Sequence, residues 1–105
     1  MWIQTQNRQR IINSDQIIDI FISKTGTKIY ANTTVGHHEP GDTSQFILGE
    51  YKDRDTCLKV LESISVVIGS RVSMITMPLD GEIDTWSKDI ADIAMAYIVN
   101  DFRIK

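Results

Sequence analysis

His37-His38-Glu39, with Asp42 three residues on, is the one cluster of metal-type ligands in the chain. Imidazole and carboxylate suit zinc, nickel or manganese, and a metal held by them could serve a hydrolase. A closed metal site, however, needs three or four ligands on a rigid scaffold, and these residues lie between Gly36 and Pro40-Gly41. The helical spacing of the zinc proteases, two histidines four apart, is absent. The expectation is no metal and no cofactor. His37, His38, Glu39 and Asp42 are the candidates if a metal-binding or hydrolytic function exists, and otherwise they form a contact loop whose histidines make the contact pH-sensitive.

Covalent catalysis would require an activated nucleophile. Cys57, the single cysteine, falls on the apolar stripe of a predicted helix, where a free thiol behaves as a small buried hydrophobe. The six glycines are scattered, and none is followed by the Lys-Ser or Lys-Thr of a phosphate-binding loop. Acid pairs such as Asp53 with Asp55 and Asp80 with Glu82 sit at helix entrances, where the macrodipole favours them without any enzymology. The chain therefore reads as a non-enzyme with no catalytic residue.

Charge is uneven along the chain. Arg8, Arg10, Lys24 and Lys28 lie in the first third, and they define a nucleic-acid-binding alternative built on basic hairpins. Asp80, Glu82, Asp84, Asp89 and Asp92 face only Lys88 between residues 80 and 92, making an acidic surface that is the candidate partner-binding site. Asp84–Lys88 and Lys88–Asp92 are both helical i,i+4 spacings, so part of this charge is neutralised locally. With a net charge of −3 and pI near 5.2, the whole-molecule field does not attract phosphate backbones. Arg8 and Arg10, close to Trp2, can instead stack on an aromatic ring or hold an anion.

These residues must be positioned by a chain of 105 residues, 42% hydrophobic and 24% charged, the composition of one globular domain. A chain of that length buries roughly 65% of its unfolded surface. No secretory leader opens it, no apolar run is long enough to span a bilayer, and a lone cysteine forms no internal disulfide, so the expectation is a cytoplasmic protein without membrane contact.

Alternating apolar and polar residues predict strands over about 1–51, joined by turns at Asn7-Arg8, Asn13-Ser14-Asp15 and around Gly26, with residues 35–44 as the longest loop. The strand at 16–23 reads as central, with Ile18, Ile20 and Ile22 on one side and Ile17 and Phe21 on the other. From Asp53 the period lengthens to 3.6, predicting a helix over about 54–69 that Asp53 or Asp55 caps and Gly69 ends in a left-handed conformation. A connector or short edge strand fills 70–83, and a second helix, capped by Asp84 or Thr85, runs over about 84–101. Trp2, Tyr30, Phe46, Tyr51, Trp86 and Tyr97 are expected to pack in the core. The fold class is thus α+β, one antiparallel sheet of about five strands in an N-terminal meander, packed against two C-terminal helices. Trp86, Ile90, Ile93 and Tyr97 form a stripe expected to pack within the monomer, although a dimer through it is possible. On that reading Ile93→Asp would bury an unpaired carboxylate.

Met1-Trp2-Ile3 with Gln6-Asn7, then Arg10-Ile11-Ile12-Asn13, then Leu48-Gly49-Glu50-Tyr51 ahead of a helix with Val60-Leu61, and finally Met77-Pro78, occur in an order that resembles a group of small single-domain proteins of Gram-positive bacteria and their prophages. The likeness runs to about residue 80, and the helix from Asp84 departs from it. The group carries no assigned activity, so the resemblance transfers no functional residue. It implies a bacterial or phage accessory protein. Together with the acidic surface, it leads to the expectation of a non-catalytic protein-binding module whose partner is a protein, such as a member of a nucleic-acid-processing complex. The sharpest form is an inhibitor of a host defence nuclease, of the anti-CRISPR type.

Overall fold

The computed structural model describes residues 1–34, 44–70 and 72–104, with side chains described as far as Met95. The loop carrying His37, His38, Glu39 and Asp42 lies outside the described residues, as do the side chains of Tyr97 and Ile98. Among the described residues, six strands and two α-helices follow one another as β1 (Trp2–Gln4), β2 (Ile11–Asn13), β3 (Ile17–Ile22), β4 (Lys28–Thr33), β5 (Ser44–Glu50), α1 (Arg54–Val67), β6 (Met74–Thr76) and α2 (Ile83–Ile104).

The α+β class holds, but the single five-stranded meander does not. The strands divide into two three-stranded sheets, β2-β1-β6 (sheet A) and β3-β4-β5 (sheet B). Sheet A is mixed, since β1 pairs antiparallel with β2 and parallel with β6. β2 does not run on into the same sheet as β3, because the Asn13 side-chain Oδ1 accepts from the Asp15 N–H at 3.0 Å and caps a 3-10 turn over Ser14–Gln16. The connector at 70–83 contributes β6 as an edge strand of sheet A, ending before Pro78, which has no N–H to give a ladder.

β3 is an edge strand, not a central one. Its pairing with β4 jumps from Ile17↔Thr33 to Asp19↔Asn32, leaving Ile18 as the extra residue of a β-bulge. The bulge shifts the alternation by one. Ile17 joins Ile20 and Ile22 against the core, while Ile18 turns to solvent and Phe21 stacks on Tyr30 across the other face with centroids 5.6 Å apart. A second bulge at Leu48 in β5 turns that side chain inward and leaves its carbonyl to accept from Gln6 N–H at 2.8 Å.

Gln6 joins the two sheets. Its side-chain amide accepts from Glu50 N–H at 2.8 Å and donates to the Glu50 carbonyl at 2.9 Å, imitating a strand partner for the outer edge of β5. The same Nε2 donates to the Pro78 carbonyl at 3.1 Å, and the Tyr51 hydroxyl donates to that carbonyl at 2.9 Å.

α1 starts where Asp53 accepts from Thr56 N–H at 2.8 Å and Thr56 Oγ1 at 2.7 Å. It ends on Ser70, whose N–H and hydroxyl both donate to the Val67 carbonyl. Gly69 does not take the left-handed conformation, and Ser70 does the capping instead; Gly26, with φ of 79°, does take it. The chain enters α2 through a 3-10 turn at Asp80–Glu82, with Glu82 accepting from Leu79 N–H, so neither Asp84 nor Thr85 is the cap. α1 packs its Cys57, Val60, Ile64 and Val67 stripe on β3 and β4. α2 runs beside α1 in the same direction, as Lys59–Asp84 and Ser63–Ser87 contacts advance together. Ile83 and Ile90 join the hydrophobic core, and Ala94 is buried too.

Candidate functional site

The three-residue strands of sheet A turn alternate side chains to opposite faces. Ile3, Ile12 and Ile75 share the inner row and are buried, whereas Trp2, Ile11 and Met74 lie on the outer row. Nothing described covers that outer row. Trp2 is 48% exposed, Ile11 51% and Met74 44%, and Ile93 of α2, facing Met74 across a depression of about 220 Å³, is 46% exposed. The expected core roles of Trp2 and Ile93 are therefore overturned. Trp2 sits on the outer side of a sheet that no described element covers there, and Ile93 lies at the flank of the α2 stripe, beside Trp86 and not behind it. Trp86 does pack as expected, partly buried, with Nε1 donating to the Thr76 carbonyl at 2.8 Å and so closing the outer edge of β6.

The row is bordered by opposite charges. At the β2 end, the Arg10 guanidinium lies over the Phe46 ring at 4.2 Å from the centroid, a stack on Phe46 and not on Trp2. At the α2 end, Asp89 lines the depression with Met74 and Ile93. A second depression, of about 440 Å³, brings Arg8, Glu82, Thr85, Trp86 and Asp89 together. Arg8 takes a φ of 65°, uncommon outside glycine, and donates from Nη1 to the Met77 carbonyl at 3.0 Å.

The five acidic candidates separate into two groups. Asp80 accepts from Lys52 N–H at 3.2 Å and Glu82 from Leu79 N–H at 3.0 Å, so both hold the entrance of α2. Asp84, Asp89 and Asp92 are exposed on α2 and share with Lys88 the side away from Ile90 and Ala94. Asp84 meets Lys59 at 3.4 Å, an exposed pair of little energetic weight. The basic candidates are dispersed: Arg8 and Arg10 are engaged as above, Lys24 lies in the β3–β4 turn, and Lys28 is paired in register with Glu50.

Among the described residues, no group of three or more potential metal ligands comes together. Cys57 is fully buried, and desolvation, reinforced by Asp53 and Asp80, pushes its thiol up, so it is held as the poorly nucleophilic protonated form. Burial likewise holds the Tyr51 phenol protonated well above its ordinary range. Asp53 moves the other way, because the Thr56 N–H and hydroxyl stabilise its carboxylate. No described helix is long and apolar enough to cross a membrane.

The residues missed at the sequence level are Met74 and Ile11 as partners of Trp2 in one exposed row. Their alternation with Ile75 and Ile12 was visible, but both rows are apolar, and only the packing decides which is covered. Comparison with protein families, characterised proteins and solved structures gives no match.

Proposed function

We propose that the protein is a non-catalytic protein-binding module that docks its partner over the outer face of sheet A. The observation that carries this reading is the row Ile11–Trp2–Met74–Ile93, apolar, half-exposed and placed across the flat of a sheet and the flank of a helix. Interface centres are enriched in Trp, Met and Arg and bordered by charge, and the bulk of the binding energy comes from a few such anchors. The complementary partner presents apolar side chains to Trp2 and Met74 and basic groups to Asp89 and Asp92.

That basic border suits a protein that itself binds nucleic acid. In the narrower form of the proposal, the module inhibits a host defence nuclease by laying its acidic α2 face into a cationic channel that a guide or target strand would occupy. The test is co-purification with such a complex. Trp2→Asp and Met74→Glu should each abolish it, and Asp89→Lys with Asp92→Lys should weaken it and remove its salt dependence. Leu79→Glu, an equally exposed apolar position away from the row, should leave it intact. Retention by the Met74 variant would remove sheet A from the interface, and retention by the charge variant would remove the channel-blocking form.

A further inference from the structure

Sheet B is covered by α1 on its β3–β4 side, and beyond α1 its inner face meets the end of sheet A across a cleft of about 310 Å³. That is the small end of the size range of ligand clefts, about 300–1,000 Å³. Thr33 forms its floor. This side chain is fully buried, and its hydroxyl is the one buried side-chain polar atom among the described residues with no hydrogen-bond partner.

Each of the remaining polar side chains of the cleft can donate a hydrogen bond. The Arg10 backbone carbonyl accepts from Thr5, but its guanidinium stacks on Phe46 and none of its five N–H groups donates to a described residue. Asn13 and Gln16, which also line the cleft, accept through their side-chain oxygens from Asp15 N–H and Thr34 Oγ1, and their NH₂ groups donate to no described residue. Among the described residues no carboxylate lines the cleft, and its walls are the side chains of Trp2, Ile12 and Phe46. A single cation with neutral donors around it matches one negative charge, and a dianion would be left half-neutralised. The apolar walls match a flat hydrocarbon body.

We propose that this cleft binds a monocarboxylate with an aromatic body, its carboxylate taken by Arg10 and the Thr33 hydroxyl and its ring placed against Trp2 and Phe46. Two sources share that chemistry, a free aryl acid and the C-terminal aromatic residue of a protein. The cleft borders the docking face at Trp2 and Ile11, yet its test requires no partner protein.

The experiment is a two-dimensional nitrogen–proton NMR titration of the full chain with sodium phenylacetate, phenylacetamide, inorganic phosphate, and an N-acetylated tripeptide ending in Phe as the free acid or as the amide. Either acid should shift the Arg10, Asn13 and Thr33 amides and the Trp2 indole N–H, and its amide should bind at least about tenfold more weakly, the discrimination expected of a charge-assisted contact. Binding by phenylacetate assigns a free acid as ligand, and binding by the peptide acid alone assigns a protein C-terminus. Arg10→Gln should weaken the acid by about tenfold or more. Thr33→Val should weaken it without lowering the melting temperature, since the hydroxyl it removes has no bond to lose. Acid and amide binding alike, phosphate shifting the same signals more strongly, an unchanged affinity in the Arg10 variant, or no shift up to about 10 mM acid, well beyond the millimolar range of weak specific ligands, would each overturn the proposal.

Discussion

Tyr51 shows how one side chain ties distant segments together. Its ring crosses the position where Gly49 has no side chain; a Cβ there would come within 2.7 Å of the Tyr51 hydroxyl, so only glycine lets the phenol reach the Pro78 carbonyl. The Leu-Gly-Glu-Tyr run is thus a packing device: Leu48 supplies the bulge, Gly49 the space and Tyr51 the bond. The buried phenol also sets a pH dependence. Burial raises the pKa of Tyr51 and of Cys57 in the folded state, so the folded chain holds protons that the unfolded chain releases. The corresponding stability is fully present below the unfolded-state values, about 8.5 for the thiol and about 10 for the phenol, and is lost as pH rises above them. Urea midpoints should therefore fall progressively above about pH 9. Tyr51→Phe should lower stability by about 1 kcal/mol at neutral pH, through the lost hydrogen bond to Pro78, and flatten the alkaline decline above about pH 10. A midpoint independent of pH in that range would contradict the burial of both groups.

At the scale of elements, local patterns were legible where one period dominates. The change from period two to 3.6 after Asp53 locates α1, and Asp53 is the cap because its side chain reaches the third N–H beyond it. Periodicity also finds Trp86 and Ile90 on the buried side of α2, but it counts Ile93 with them. Ile93 stands about 60° around the helix from Ile90, which is enough to move it from the core to the rim of the depression shared with Met74. The two positions should separate sharply in chemical unfolding. Ile90→Ala, at 5% exposure, should cost about 2–4 kcal/mol through the cavity it leaves. Ile93→Asp should cost no more than about 1 kcal/mol, as a surface substitution does. Equal and large losses would restore Ile93 to the core. β3 was harder to read for a different reason: a bulge adds one residue and inverts the faces before it, and the run Ile17–Ile18 is apolar on both sides, so no alternation marks where the inversion occurs.

For the molecule as a whole, sheet edges decide how copies of the chain meet. The outer edge of β5 is occupied by Gln6 and that of β6 by Trp86, whereas β3 makes no backbone hydrogen bond on its outer side among the described residues. Its protection is the bulge at Ile18 and the exposed Asp19, both devices that discourage strand addition. The 11.9 kDa chain should accordingly scatter light as a monomer, and Asp19→Ile should introduce concentration-dependent dimers. A wild-type dimer that Asp19→Ile leaves unchanged would place self-association on another surface. Composition and local spacing by themselves determined the α+β class and the places of both helices and most strands, and narrowed the α1 cap to Asp53 or Asp55, because each depends on residues within a turn or two of one another. The division into two sheets did not follow from them. The parallel pairing of β1 with β6 joins residues about seventy positions apart through three-residue strands, and backbone hydrogen bonds carry no residue-type signature. Nor did the sequence tell the covered row of sheet A from the open one, since Ile3, Ile12 and Ile75 are no more apolar as a set than Trp2, Ile11 and Met74. Only the placement of α1, α2 and sheet B decides which row of sheet A the described residues cover, and with it the proposed docking face and the cleft beside Thr33.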